Sequence, residues 1–446
     1  MLISIESLRA DHVGCYGYPK PTTPLIDRLA QEGVRFQNAV SPTSWTLPAH
    51  ASLFTGLNSY THGLVANGLR LGDGVVTLAE VLRNAGYQTA GFYGGPYLHP
   101  TYGIPQGFET YVSCMTKVSD ELSDDAVRAE ASVATSPAHA DVTGPRTLEK
   151  VTQWLDTIDD RPLLLFVHLW DPHYDYIPPE RDWRIFDPDY AGALTGASML
   201  TNNAINARMP KRELEHLIAL YDGEIRFTDD ILSRILAAID RRRPLDSSLL
   251  VVTSDHGEEF FEHGNSGHQK SLYEETIRVP LVFRWPGHVD AGRVVQDQVR
   301  LIDVMPTVLA LVGVPAPARI EGRALGPLLK GGTLEAAPAL CDLSSHHRVF
   351  YAVRTNRHMF IATPMRQDSQ WRYGCRFYDL ERDPGEHASL PLSAAGIQEA
   401  YRTLDELCRK SEALKKVLGE TVVTHAVSDE QLLKRLKSLG YIGGGH

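Results

Sequence analysis

Thr46 stands in the run Ser44-Trp45-Thr46-Leu47-Pro48-Ala49-His50-Ala51-Ser52-Leu53-Phe54-Thr55-Gly56. A hydroxyl just before a proline and a short helix-like segment points its oxygen at a helix N-terminus. Backbone N–H groups and the helix dipole favour an anion there. That placement suits a nucleophile attacking a phosphate or sulfate ester; the plain alternative is a capping threonine without chemistry. Glu6 directly follows the apolar run Leu2-Ile3-Ser4-Ile5, and Asp255-His256 closely follow Leu249-Leu250-Val251-Val252-Thr253. A carboxylate at the end of a buried strand is unusual unless it binds something. Glu6, Asp255 and His256 form a mixed oxygen and nitrogen set that suits Zn²⁺ or Mn²⁺ better than Mg²⁺ or Ca²⁺. With the Thr46 hydroxyl the set has four members, and the metal would lower the pKa of that hydroxyl and polarise a substrate oxygen. The competing reading is a helix-capping Asp beside a satisfied core His.

A third apolar run ends in His168-Leu169-Trp170-Asp171-Pro172-His173. Two imidazoles and a carboxylate so close together could form a second metal site, or could bind and protonate a substrate oxygen. His268, in Gly267-His268-Gln269-Lys270, could hold an anionic oxygen or protonate a leaving group. His173 and His268 are therefore expected to act in catalysis, and His50, His168 and Asp171 to touch substrate. His62, His99 and His263 carry weaker signals, because an isolated His in a loop is usually structural. A Gly-rich phosphate loop, a GxSxG elbow and a GxGxxG fingerprint are all missing.

The elements that would position these residues alternate. Leu2 to Ile5, Gln88 to Tyr93, Leu163 to His168 and Leu249 to Thr253 read as strands, and near-continuous apolar runs predict burial on both faces. Thr23 to Gly33, Leu78 to Asn84, Thr147 to Ile158 and Lys211 to Asp240 read as helices, the last with Gly223 as a break point. This rhythm predicts an α/β fold with a doubly wound, mostly parallel sheet, whose ligands bind beyond the C-terminal strand ends. After about residue 345 the texture changes. Val349 to Ile361 and Trp371 to Leu380 read as strands, with turn chemistry at Asp383-Pro384-Gly385 and one or two helices to follow. The expected division is a catalytic domain over residues 1–340 and a small C-terminal α+β subdomain over 341–446. Two polar stretches, about 113–146 and 181–210, read as insertions over the site, of the kind that often serve as lids. Ala131 to Ala140 is mildly low in complexity.

Composition bounds the rest. In 446 residues, 43% are hydrophobic and 22% charged, so a large core is available without a metal or disulfides to hold it. The net charge of −11 and the lack of a Lys/Arg stripe argue against nucleic acid. Five scattered cysteines without CxxC spacing argue against a disulfide framework. No apolar run approaches the ~20 residues that span a bilayer. Met1 leads straight into a strand with no n-region or h-region, so cytoplasmic placement is the default expectation; trimming would leave the same start.

Taken together the segments resemble the sulfatase family of the alkaline-phosphatase superfamily. The resemblance is carried by Glu6-Ser7-Leu8-Arg9-Ala10-Asp11-His12, Thr23 to Ala30, Thr46 to Gly56, Asp171-Pro172-His173 and Thr253 to Glu258. It continues through Leu272 to Glu275, Arg278 to Leu281, Asp303 to Thr307 and Tyr378 to Glu381. It implies an alkaline-phosphatase-like doubly wound fold with a smaller C-terminal subdomain. The departures narrow the chemistry. The family places Cys or Ser, matured to formylglycine, in a C/S-x-P-x-R motif; here Thr46 holds that place and His50 replaces the Arg. Oxidising the Thr β-carbon would give a ketone, so no formylglycine is expected. Glu6-Ser7 stands where paired Asp ligands are common, and Asp255-His256 where Asp-Asn is usual. The resulting Glu, Thr, Asp and His set looks like that of the phosphoglycerol and phosphoethanolamine transferases, which use a Thr nucleophile on a transition metal but are membrane-anchored. The leading expectation is a hydrolase or transferase with one divalent ion, acting on small-molecule phosphate esters or phosphodiesters through a covalent Thr46 intermediate. Sulfate-ester hydrolysis or sulfuryl transfer without formylglycine is the second reading, and a non-catalytic binding protein of the same fold the third. Oligomeric state is open.

Overall fold

The computed structural model describes residues 1–116, 141–199, 201–345, 348–367, 370–424 and 429–438. Its centre is a nine-stranded sheet. In chain order the strands are β1 (Leu2–Ile5), β2 (Val34–Val40), β3 (Gln88–Tyr93), β4 (Thr110–Ser113), β5 (Leu163–Leu169), β6 (Leu250–Ser254), β7 (Arg278–Val279), β8 (Leu281–Arg284) and β9 (Arg293–Arg300). Their spatial order is β7-β2-β8-β6-β1-β5-β3-β4, with β9 beside β2. The run from β6 to β4 is parallel, while β8 enters antiparallel between β6 and β2. The sheet is therefore mostly parallel, as the alternating pattern predicts. The antiparallel strand was not anticipated, because it follows β7 through Pro280 alone and carries no helix of its own to signal a crossover.

Side-chain alternation along the strands divides the apolar residues between two cores. Leu2, Phe166, Val251 and Phe283 face one core, with helices α2 (Thr46–Thr55), α3 (Leu78–Asn84) and α6 (Val304–Leu311). Ile3, Val167, Val252 and Val282 face the other, with α1 (Pro24–Gln31), α4 (Gly144–Trp154) and α5 (Lys211–Asp240). A period of two on strands buried on both faces is what a doubly wound sheet requires. Helix α5 is continuous through Gly223, against the expectation of a break. A Cβ at Gly223 would lie 2.9 Å from Pro178 Cγ and from Trp183 Cβ, so the glycine serves a close approach and not a kink. The predicted Thr147 to Ile158 helix begins earlier, at Gly144, and tightens into a 3₁₀ turn over Leu155–Thr157.

A four-stranded antiparallel sheet follows over Ala339–Ser345, Arg348–Arg354, His358–Gln367 and Gln370–Asp379, then helices Ile397–Leu418 and Glu430–Ser438. Among the described residues, no helix is long and apolar enough to cross a membrane. Most of the 113–146 stretch, including Ala131 to Ala140, lies outside the described residues. The 181–210 stretch folds back on the segment after His173. There Tyr176 bridges Gly196, and Asp175 accepts the backbone N–H of Met199 at 2.7 Å.

One cap shows how far apart in sequence a helix and its terminator lie. Asp229 on α5 accepts the N–H of Leu25 at 2.8 Å and of Ile26 at 3.1 Å, so it caps α1; Thr23, which stands at the N-cap position, makes no side-chain capping bond. Burial pushes the Asp229 carboxyl up to about 7, against the pull of those two N–H bonds. In the unfolded chain it titrates near ~3.9. Between those values the folded state holds a proton that the unfolded state has released, so stability falls as pH rises across the window. Asp229→Asn is expected to remove a slope of about 1.4 kcal/mol per pH unit. Denaturant unfolding of both proteins at about pH 4.5 and 7 measures it, and equal slopes would refute the assignment.

Candidate active site

Three adjacent parallel strands bring the chemistry together. Ile5 on β1 pairs with Leu169 on β5 and with Ser254 on β6, so Glu6, His168 and Asp255 emerge at one edge of the sheet. All three are fully buried, as is His256. Helix α2 places Thr46 over this edge. Trp45 is the N-cap and makes no side-chain cap bond; Thr46 is the first helical residue, so it is not the capping residue of the plain alternative. Its hydroxyl lies 2.9 Å from Glu6 Oε1 and 3.2 Å from His256 Nε2. Gly56, with φ +67°, ends the helix in the left-handed conformation that glycine adopts without strain. Ser7 takes a positive φ of 53°, and its N–H donates to Asp255 Oδ1 at 3.2 Å, which turns the chain after Glu6 toward Asp255.

The electrostatics are those of carboxylates too close to share a dry site. Burial opposes ionisation of Glu6, yet the imidazoles of His168 and His256 beside it hold its carboxyl well below the usual range. Burial, and then the charge on Glu6, push Asp255 up to about 7. Burial works against a charged His256, but Asp255 and Glu6 outweigh it and raise the imidazole to about 9. Asp255 Oδ2 is buried with no hydrogen-bond partner among the described residues, and Glu6 Oε2 is buried facing His168 Nε2 at 3.0 Å. Buried carboxylate oxygens without donors are costly unless a cation satisfies them. His256 Nδ1 lies 2.8 Å from Gly257 O, so it donates there and turns Nε2 toward Thr46 and Glu6, where a bound cation would take the place of the Nε2 proton. Glu6, Asp255 and His256 can offer ligand atoms that all lie within 4.8 Å of one another. The donor set therefore fits a divalent ion, with Thr46 Oγ1 as its fourth member.

The other expected residues divide. His268 lies beside the cluster, its ring centroid 4.4 Å from that of His256 and 5.0 Å from that of His173. His268 Nδ1 is 3.2 Å from Glu258 Oε1, which leaves Nε2 for substrate, and burial lowers its pKa. His173 stacks on Trp170 at 3.8 Å between ring centroids, and its Nδ1 bonds the Tyr174 carbonyl. The loop carrying His268 is tied to the loop before Thr46: Gln269 N donates to Ser44 O at 3.0 Å, and Ser44 Oγ donates to Ser271 O at 2.7 Å. Two residues expected to touch substrate are otherwise engaged. His50 has Nδ1 on Thr46 O at 2.9 Å and Nε2 on the Ser4 hydroxyl at 3.0 Å, one helical turn below the Thr46 hydroxyl. Asp171 accepts from Thr143 Oγ1 at 3.0 Å and Gly144 N at 3.1 Å, so it caps α4. Sequence spacing cannot separate a capping Asp from a binding one when the helix it caps begins 27 residues earlier. His168 joins the carboxylates, its Nε2 3.0 Å from Glu6 Oε2. His62 bonds Ser52, His99 caps a turn through Thr101, and His263 pairs with Glu275. Glu258, which orients His268, was not assigned a role from the sequence; its only signal is an acidic residue two places after His256.

A family model described as Sulfatase matches residues 1–314, and one described as N-sulphoglucosamine sulphohydrolase, C-terminal, matches residues 262–412. The chain belongs to the sulfatase family. It is 28% identical to an ulvan-active sulfatase of Formosa agariphila over 75% of this chain and 65% of that protein, slightly under two thirds of the relative's length. It is 26% identical to PehA of Trinickia caryophylli, named a multifunctional alkaline phosphatase superfamily protein, over 97% of this chain and 98% of that one. The fold is that of a phosphonate monoester hydrolase of Agrobacterium radiobacter, with a TM-score of 0.71 at 22% identity, covering 95% of this chain and 99% of that one. Members of the sulfatase family generally use a divalent metal ion, which agrees with the donor set described above.

Proposed function

We propose that this sulfatase-family chain is a metal-dependent hydrolase or transferase of phosphate esters or phosphodiesters, acting through a covalent intermediate on Thr46. The observation that carries the reading is the Thr46 hydroxyl, 2.9 Å from Glu6 Oε1 and 3.2 Å from His256 Nε2 at the start of α2. Glu6, Thr46, Asp255 and His256 would hold the ion. When bound, such an ion lowers the pKa of a hydroxyl and stabilises charge on a substrate oxygen. Glu6 Oε1, which already accepts the Thr46 hydrogen bond, takes the proton as Oγ1 attacks phosphorus. The Oγ1–P bond forms, the bond to the leaving oxygen breaks, and His173 or His268, in its imidazolium form, supplies the proton with which the alcohol departs. Water, or an acceptor alcohol, then attacks phosphorus. The Oγ1–P bond breaks, Thr46 recovers its proton from Glu6, and the proton of the attacking water or alcohol passes to the imidazole that protonated the leaving group. Threonine offers one hydroxyl and no carbonyl, so release requires this second attack.

Sulfate-ester hydrolysis by the same unmodified Thr46 is the second reading. The family match and the ulvan-active relative favour it as much as the geometry favours phosphate. A panel of aryl sulfate, phosphate monoester and phosphodiester, run with Mn²⁺ or Zn²⁺, separates them. The phosphate reading expects the largest kcat/KM on a phosphate mono- or diester. Preference for aryl sulfate overturns it in favour of the second, and inactivity on all three with metal bound points to a binding protein.

A further inference from the structure

One imidazole at the carboxylate cluster still lacks a role. His168 lies on β5 opposite Ser4, fully buried. Its Nδ1 is 2.9 Å from the Gly94 carbonyl oxygen, which can only accept, so the ring donates from Nδ1 and a neutral ring carries its lone pair on Nε2. Nε2 faces Glu6 Oε2 at 3.0 Å, and neither atom has a further hydrogen-bond partner among the described residues. Two lone pairs at that separation repel unless a positive centre, a proton or a metal ion, lies between them. The third such atom in the cluster is Asp255 Oδ2, and the ligand atoms of Asp255 and His168 lie within 4.8 Å of each other.

His50 also lies within reach of Asp255 and His168, but its Nδ1–H is committed to Thr46 O and its Nε2 to Ser4, which leaves it no lone pair for a metal. His168 and His256, by contrast, repeat one arrangement: Nδ1 on a backbone carbonyl, Nε2 turned toward Glu6 from opposite oxygens of its carboxylate. Proteins fix the tautomer of a metal-binding histidine in this way. We propose that His168 is a ligand of the ion held by Glu6, Thr46, Asp255 and His256. The centre then has two imidazoles and two carboxylates, a donor set that selects Zn²⁺, Mn²⁺ or a similar transition ion over Ca²⁺ and Mg²⁺. The inference rests on the metal-centred reading of this site and adds a ligand to it; it takes His168 out of the group expected to touch substrate.

The test begins with the unaltered chain loaded with one equivalent of Zn²⁺. X-ray absorption at the zinc edge is expected to count two imidazoles. His168→Gln and His256→Gln are each expected to leave one. Competition with a chromophoric chelator is expected to show Zn²⁺ binding weakened by more than about 100-fold in His168→Gln, beyond the ~10–100-fold that loss of an outer partner costs. One imidazole in the unaltered chain, a loss of 100-fold or less in a folded His168→Gln protein, or two tightly bound ions per chain with one imidazole each overturns the proposal. Because the imidazole count is taken on the unaltered chain, a variant that fails to fold does not shelter it. A chain that binds no Zn²⁺ or Mn²⁺ at all refutes the metal-centred reading itself, a separate result.

Discussion

Thr46→Ala is expected to lower turnover at least ~10³-fold on the best substrate of the panel, as deletions of nucleophiles do, while Thr46→Ser keeps a large part of the activity. The argument is geometric. Thr46 Oγ1 is the hydroxyl that meets both Glu6 and His256, and α2 sets its position from the first helical residue. Alanine keeps the helix and removes only the oxygen, so the stability cost is that of a lost hydrogen bond, about 1 kcal/mol. A large fall in rate with a small fall in stability separates chemistry from folding. Mass spectrometry of a quenched reaction should find the transferred group on the peptide containing Thr46, and serine at that place should carry it too. An alanine protein that turns over unchanged would end the covalent mechanism.

Stripping divalent ions is expected to remove activity to the limit of detection and to lower the melting temperature. Re-addition of Mn²⁺ or Zn²⁺ should restore both better than Mg²⁺ or Ca²⁺. The physical cause lies in the buried charges. Glu6 and Asp255 share one dry cluster, and Asp255 is pushed up to about 7 because burial and the charge on Glu6 both disfavour its ionised form. An ion between the carboxylates reverses that balance and binds the folded chain alone. At a free concentration of 100 times its dissociation constant it adds about 2.7 kcal/mol of stability. Asp255→Asn halves the acidic ligands and should shift the metal dependence of both activity and melting to higher concentration. Calorimetric melting with and without chelator, beside initial rates, measures this. Identical melting curves and rates after verified removal of metal would contradict it.

Much of this site was legible before any tertiary structure. Glu6, His168 and Asp255 each stand at the end of a buried apolar run, and in parallel α/β sheets those ends form the binding edge. Gly56 after ten residues of α2 marked the helix that Thr46 opens. Other residues misled for a common reason: a carboxylate or imidazole at a loop looks alike in sequence whether it serves a backbone or a ligand. Asp171 caps α4 and His50 is fastened to Ser4, each through a partner that no local pattern indicates. Glu258 was passed over for the same reason, since its partner His268 arrives by a separate loop.

The amino-acid order alone determined the strand and helix alternation, the strand-end placement of the acidic residues, and a threonine hydroxyl at the start of a short helix. Those features depend on local apolar periodicity and on side-chain identity, which need no neighbour to be read. Only the tertiary structure decided that β1 lies between β5 and β6, and hence that Glu6 meets Asp255 from one side and His168 from the other. Strand order is a long-range choice, and it determines which buried lone pairs find hydrogen-bond donors and which are left for a cation.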